Sequence, residues 1–306
     1  MTTKVATPSG ARILKREMRW WLLIQSFLVW AAGGQLFILS EQTDQFFAWT
    51  IKPPLTAAFL GACYWSTLFL MFLSAWEPAW ARARVAGPAT WIFSTLTLLL
   101  TLLHLDRFHL DSIFGWVWVA VYISVPLVLG TLLVRQQFLV RQPDPPRGAP
   151  LARWLQISLG IQGGVMVALG IAMFIAPVET GKLWPWMLTA LTGRAVAAWL
   201  IGWGVAILHG LWENSWSRVH NLMIAYTWLG ILLLAALVRY PGTPDWGAVN
   251  SWLYLLFVVS ILAVGALGWW AAHRARPVED RVSWLQRIQA VTGSGKKAGY
   301  DPDPTA

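Results

Sequence analysis

Apolar stretches of about twenty residues alternate with short polar segments along almost the whole chain. They cover 20–40, 54–75, 85–103, 113–134, 154–177, 187–211, 219–238 and 249–272. A helix rising 1.5 Å per residue needs roughly 20 apolar residues to cross the hydrocarbon core. Seven of the eight stretches contain no Asp, Glu, Lys or Arg, and the sixth contains Arg194 alone. Backbone polar groups in lipid must be satisfied within the segment, so each stretch predicts a transmembrane α-helix. The short alternating strands of a β-barrel are not seen. The first stretch follows Lys15, Arg16 and Arg19, but it is too long for a signal core and reads as a retained span.

The polar segments set an orientation. Eighteen Lys and Arg lie in the terminal segments and the even-numbered connections, against four (Lys52, Arg107, Lys182 and Arg239) on the other side. The positive-inside rule therefore predicts cytoplasmic N- and C-termini. Tryptophan follows the same map. Trp20, Trp21, Trp76, Trp80, Trp154, Trp212, Trp216, Trp269 and Trp270 are expected at the inner boundary, and Trp49, Trp116, Trp184, Trp186 and Trp246 at the outer one.

The pattern also repeats. At an offset of 136 positions Leu55-Thr56 meets Leu191-Thr192, Ala62 meets Ala198, Leu96 meets Leu232, Trp116 meets Trp252 and Ser124 meets Ser260. The sharpest shared element is W-E-x-x-W-x-R. It is Trp76, Glu77, Trp80 and Arg82 in the first copy, and Trp212, Glu213, Trp216 and Arg218 in the second. The expected fold is thus all-α and integral to the membrane, with eight spans as two tandem four-helix repeats. Four spans per copy give both copies the same orientation and a pseudo-twofold axis along the membrane normal. The division reads as a basic arm 1–19, a first repeat 20–134, a Pro-rich linker 135–153 and a second repeat 154–272. An amphipathic interfacial helix 273–291 and a disordered tail 292–306 follow. Small residues four apart (Ala58, Ala62, Ser66; Ala198, Gly202, Ala206, Gly210; Gly160, Gly164, Ala168) predict close helix packing.

Composition removes several function classes. Of 306 residues, 57% are hydrophobic and 12% charged, where a soluble domain carries about a quarter charged residues. The net charge of +9 is spread between the spans, without a basic domain or groove-reading motif, so no nucleic-acid partner is expected. The one cysteine, Cys63, reads as a small buried hydrophobe.

Candidate chemistry is sparse. Arg194 is read about two turns inside the sixth span, where a charge marks a ligand-orienting group or a side chain snorkelling to the headgroups. Glu77 with Arg82, and Glu213 with Arg218, are expected as exposed interfacial ion pairs that position a turn, rather than as proton-coupled carboxylates. The loop from His104 to Asp111 holds two His and two Asp without a zinc spacing. His209 and His220 flank one short connection without a haem-attachment motif. No phosphate loop, His-Glu-x-x-His or Gly-x-Ser-x-Gly is present. No metal, cofactor or catalytic residue is therefore expected.

The stretch Leu183-Trp-Pro-Trp-Met-Leu-Thr-Ala-Leu-Thr-Gly-Arg-Ala-Val-Ala-Ala-Trp199, echoed by Phe47 to Ala58, resembles a motif in uncharacterised bacterial polytopic membrane proteins. The resemblance implies a bacterial inner-membrane location and no particular activity. Two functions fit the whole pattern. The first is a non-enzymatic protein that binds or transports a small or lipid-like molecule. The second is an accessory subunit packed in the bilayer against another membrane protein or a second copy.

Overall fold

The computed structural model describes residues 11–275. Of the amphipathic helix expected over 273–291, residues 273–275 are described and continue the last span; its remainder, the expected tail 292–306 and the first ten residues lie outside the described residues. Eight long helices form: α1 Arg16–Phe37, α2 Pro54–Ala75, α3 Ala86–Leu103, α4 Ile113–Val134, α5 Arg153–Ile175, α6 Ala190–Glu213, α7 Trp216–Arg239 and α8 Val249–Ala275. All eight are long and apolar enough to cross a membrane. Among the described residues the only strand-like feature is a bridge between Ile13 and Ala79.

Several boundaries differ from the apolar stretches, and the causes are local. α6 begins at Ala190, not 187, because Thr189 forms a capping box with Thr192 and the preceding Trp-Pro-Trp folds into a loop. α7 begins three residues earlier than hydropathy indicates, at Trp216, and includes Arg218. α8 runs to Ala275, three residues past the expected end. Helix α4 passes into a π-turn, Arg135–Leu139, so the linker starts as helix.

The inner layer is α2 and α6, where 78% and 72% of span positions are buried, against 33% for α1, α5 and α8 and 28% for α4. Their sequences account for this. α2 carries Ala57, Ala58, Gly61, Ala62 and Ser66, and α6 carries Ala197, Ala198, Gly202, Gly204 and Ala206. Small side chains let neighbouring backbones close in on all sides, and dispersion rather than water exclusion then holds helices together in lipid. The expected Gly160/Gly164 stripe of α5 is not the closest face. A Cβ on Gly164 would meet nothing within 4 Å, whereas one on Gly204 would lie 3.0 Å from the Gly163 carbonyl oxygen. The helical phase places Gly163, not Gly164, against α6.

Helices pair as α1–α2, α3–α4, α5–α6 and α7–α8. The pairs then cross. α7 packs mainly on α2 and α3 mainly on α6, while the sequential neighbours α2–α3 and α6–α7 touch much less. α1 and α4 meet only lightly, and so do α5 and α8. Each loose seam is the mouth of a cavity.

Candidate functional site: two lateral clefts and an ionic crossover

The first cleft lies between α1 and α4, over a floor of α2, α3 and α6, with a volume of about 280 Å³. Its lips are apolar and accessible: Val29 and Ala32 on α1, and Ile113, Val117 and Val121 on α4. Its interior is buried: Tyr64, Met71 and Trp203 belong to the floor, with Gln25 of α1 and Tyr122 of α4 on the side walls. The Tyr64 and Tyr122 hydroxyls are hydrogen-bonded to each other. Thr67 and Ser94 turn their hydroxyls back onto the Cys63 and Trp91 carbonyls, so they satisfy themselves. Gln25 Oε1 and Trp203 Nε1 have no partner. An aromatic cap closes the end of the cleft away from residue 11. Trp49 and Trp118 stand 4.8 Å apart and nearly perpendicular, with Phe47 and Phe108 beside them.

The second cleft, about 690 Å³, lies between α5 and α8 over α2, α6 and α7. Val165, Leu253 and Leu256 form its exposed lips. Phe59 and Cys63 of α2 close one wall. Its cap is Trp184, Trp186 and Tyr254, with Trp184 and Trp186 centred 5.3 Å apart. Trp186 Nε1 donates across to Thr56 Oγ1 at 2.8 Å. Behind the wall, Tyr226 donates to Gln162 Oε1 at 3.0 Å, and Gln162 Nε2 donates to Ser260 at 2.9 Å. This polar chain is closed on itself.

These caps correct the boundary assignment of tryptophan. Trp49, Trp80, Trp184, Trp186 and Trp216 are at most 8% exposed, so they pack inside the molecule. Trp20, Trp116, Trp154, Trp212, Trp269 and Trp270 are exposed, as anchoring requires. The count of indoles alone could not separate rings that seal a cavity from rings that meet headgroups.

Arg194 is the fifth residue of α6, about one turn inside rather than two, because the helix starts late. Its Nε donates to the Phe174 carbonyl at 3.0 Å, near the end of α5, and its Nη1 donates to His104 Nε2 at 2.7 Å. It therefore ties three helix ends together and lines neither cleft. A guanidinium fits that place, since the last carbonyls of a helix lack intrahelical donors and carry its negative pole. Accepting from Arg194 leaves the His104 proton on Nδ1. Burial, and then the Arg194 charge, lower the His104 pKa from its ordinary 6.5. The rest of the loop is solvated or tied down: Asp106 pairs with Arg107 at 2.9 Å, and His109 meets Thr50 Oγ1 at 3.2 Å.

The Glu-Arg motifs are the largest departure from expectation. Glu77 and Glu213 are 1% and 0% exposed, so neither belongs to a surface pair. Glu213 does pair with Arg218 at 2.7 Å, but Arg84 at the start of α3 also binds it at 2.5 Å. His209 Nε2 stands 3.5 Å away. Arg84 continues to Asp144 of the linker at 2.7 Å, and Arg218 donates to the Pro145 carbonyl at 2.6 Å. Glu77 accepts from Asn221 of α7 at 3.2 Å. Each glutamate thus takes a partner from the other half, where α3 meets α6 and α7 meets α2. The linker is the lid of this crossover, with Trp80 beneath it donating to Gln137 Oε1 at 2.8 Å. Trp76 is half-buried and Trp212 exposed, the latter under the guanidinium groups of Arg84 and Arg147. Spacing pairs each Glu with its own Arg, but nothing in the chain announced Arg84 or Asp144.

Comparison with family models, with curated proteins and with solved structures found no match.

Proposed function

We propose that this chain binds small or lipid-like molecules inside the bilayer, in lateral clefts of a duplicated four-helix scaffold. The inner membrane of a bacterium is the location implied by the resemblance of Leu183–Trp199, with both termini cytoplasmic as the charge bias predicts.

One observation carries the reading. The two clefts are built from positions that correspond at the offset of 136. Phe47 and Leu183, Val29 and Val165, Phe93 and Leu229, Val117 and Leu253, Trp118 and Tyr254, and Val125 and Ile261 occupy equivalent walls. Duplication is supported further by the segments entering each half. The Arg12 carbonyl accepts from Trp80 N–H at 3.0 Å, and the Ala149 carbonyl accepts from Trp216 N–H at 3.2 Å. A cavity retained in both copies, open sideways and lined by apolar groups, matches a ligand delivered from lipid rather than from water.

The test is purification in native lipid discs followed by mass spectrometry of what is retained. A lipid-like molecule at near-stoichiometric amount, reduced by Val121→Trp in the first cleft, is the expected result. Retention of a protein partner instead, with no small molecule affected by blocking, would favour the accessory-subunit reading and overturn this one.

A further inference from the structure

The clefts correspond in position but not in chemistry. In the first, the lining residues Gln25, Tyr64, Ser94 and Tyr122 are polar. Their counterparts at the offset of 136 are Ile161, Leu200, Gly230 and Val258. All four polar residues lie near the middle of their helices, and therefore near the middle of the bilayer. None of the residues lining the first cleft is Asp, Glu, Lys, Arg or His.

Two groups in its interior are unsatisfied. Gln25 is 3% exposed and its Oε1 lacks a donor; Trp203 is 4% exposed and its Nε1 lacks an acceptor. A buried polar atom left unpaired costs about 1–3 kcal/mol, and water is scarce at this depth in lipid.

Building on the lipid-binding reading above, we propose that the first cleft holds an uncharged, lipid-like alcohol with its hydroxyl at mid-membrane depth. The hydroxyl donates to Gln25 Oε1 and accepts from Trp203 Nε1. An ionised headgroup does not fit, because a charge at the bilayer centre without a counter-charge is costly. An intact phospholipid does not fit either, since its headgroup belongs at the interface, about 15 Å from the midplane. A quinone, ketone or ether oxygen only accepts, and would leave Gln25 Oε1 unpaired; a hydroxyl does both. The second cleft also borders Trp203 but has Ile161, not Gln25, at the matching position of α5; its own unpartnered acceptor, Asn250 Oδ1, lies at the start of α8 beside the cap rather than at mid-membrane depth.

The experiment uses the full chain in phosphatidylcholine nanodiscs and three tritiated probes: farnesol, farnesyl methyl ether and farnesoic acid. Farnesol should bind more tightly than its ether by roughly three- to tenfold, the worth of one hydrogen bond, and the acid more weakly than either. Gln25→Met should remove the alcohol–ether difference while leaving ether affinity unchanged. Trp203→Phe, which loses the acceptor's partner, should weaken both alcohol and ether. The melting temperature of each variant shows whether it folds. If the wild-type protein binds all three probes alike, the alcohol assignment is wrong and lipid binding stands. If Val121→Trp leaves every affinity unchanged, the first cleft is not the site and the alcohol assignment falls while lipid binding stands; if none of the probes binds, both readings fall.

Discussion

Replacing Glu213 by Gln should damage the fold far more than a glutamate substitution at the surface. The carboxylate is fully buried and holds Arg84 and Arg218, each 5% exposed, through contacts of 2.5 and 2.7 Å. With Asp144 on the far side of Arg84, and Arg12 3.6 Å from Asp144, the cluster has three cations and two anions. Glu213→Gln keeps the shape but takes away the carboxylate shared by the two buried guanidinium groups, leaving one further positive charge uncompensated. Removing one partner of a buried ion pair costs about 3–5 kcal/mol, and at about 2–4 °C per kcal/mol for a chain of this size the melting temperature should fall by roughly 10 °C. The single cysteine provides the assay. Cys63 is 2% exposed in the middle of α2, so a thiol-reactive fluorophore reports its release during a thermal ramp. Adding Arg218→Met to Glu213→Gln returns the cluster to its original net charge and should recover part of the loss; the coupling between the two changes measures the pair. Glu179→Gln is the control, since Glu179 and Lys182 are 71% and 69% exposed and such pairs contribute little. If Glu213→Gln melts like the wild type, or no lower than Glu179→Gln, the crossover does not hold the halves together.

Two other outcomes follow from the same contacts. Folding lowers the His104 pKa below 6.5, so the unfolded chain binds the extra proton and stability falls as pH drops below about 6.5; His104→Gln should flatten that part of a melting-temperature profile, while Arg194→Met should lower stability across the whole range. Because α3 packs on α6 and α7 on α2, residues 1–147 produced alone should be degraded or aggregated, whereas co-production with 148–306 should yield a stable pair in detergent; a monodisperse half would contradict the crossed packing.

Much of this architecture was legible in the chain. Apolar runs locate eight helices because lipid leaves the backbone no other way to satisfy itself. Their ends were less legible, since hydropathy cannot distinguish a residue facing lipid from one sealing a cavity. Leu183 to Leu188 are apolar, yet they form the loop that carries Trp184 and Trp186 of the cap and not a turn of α6, and Arg194 is displaced toward the helix end as a consequence. A membrane interior makes charge conspicuous in a sequence, and Gln25 carries none. The signal that finds it is a comparison at the offset of 136, where Gln25, Tyr64 and Tyr122 stand against Ile161, Leu200 and Val258. The crossing of the halves left no such trace. Small residues on α2 and α6 say that both helices are surrounded, but not by which neighbours.

The crossing couples the two clefts to each other. Trp199 and Trp203 of α6 form part of the first cleft, and Phe59 and Cys63 of α2 form part of the second. Neither cleft is complete within four consecutive helices, so each half of the chain constrains the other's cavity. A polar substitution on α1 or α4 alters only the first cleft, because those helices touch only that one. A substitution on α2 or α6 alters both. The polar residues obey this geometry: Gln25 and Tyr122 come from α1 and α4, and Tyr64 on α2 points its hydroxyl to Tyr122 and away from the second cleft. The polar groups that set the first cleft apart are therefore carried by the outer helices or turned toward them, while the shared inner pair stays small, apolar and tightly packed. Under the proposed lipid-binding reading, the outer helices are where ligand preference changes without loss of the fold.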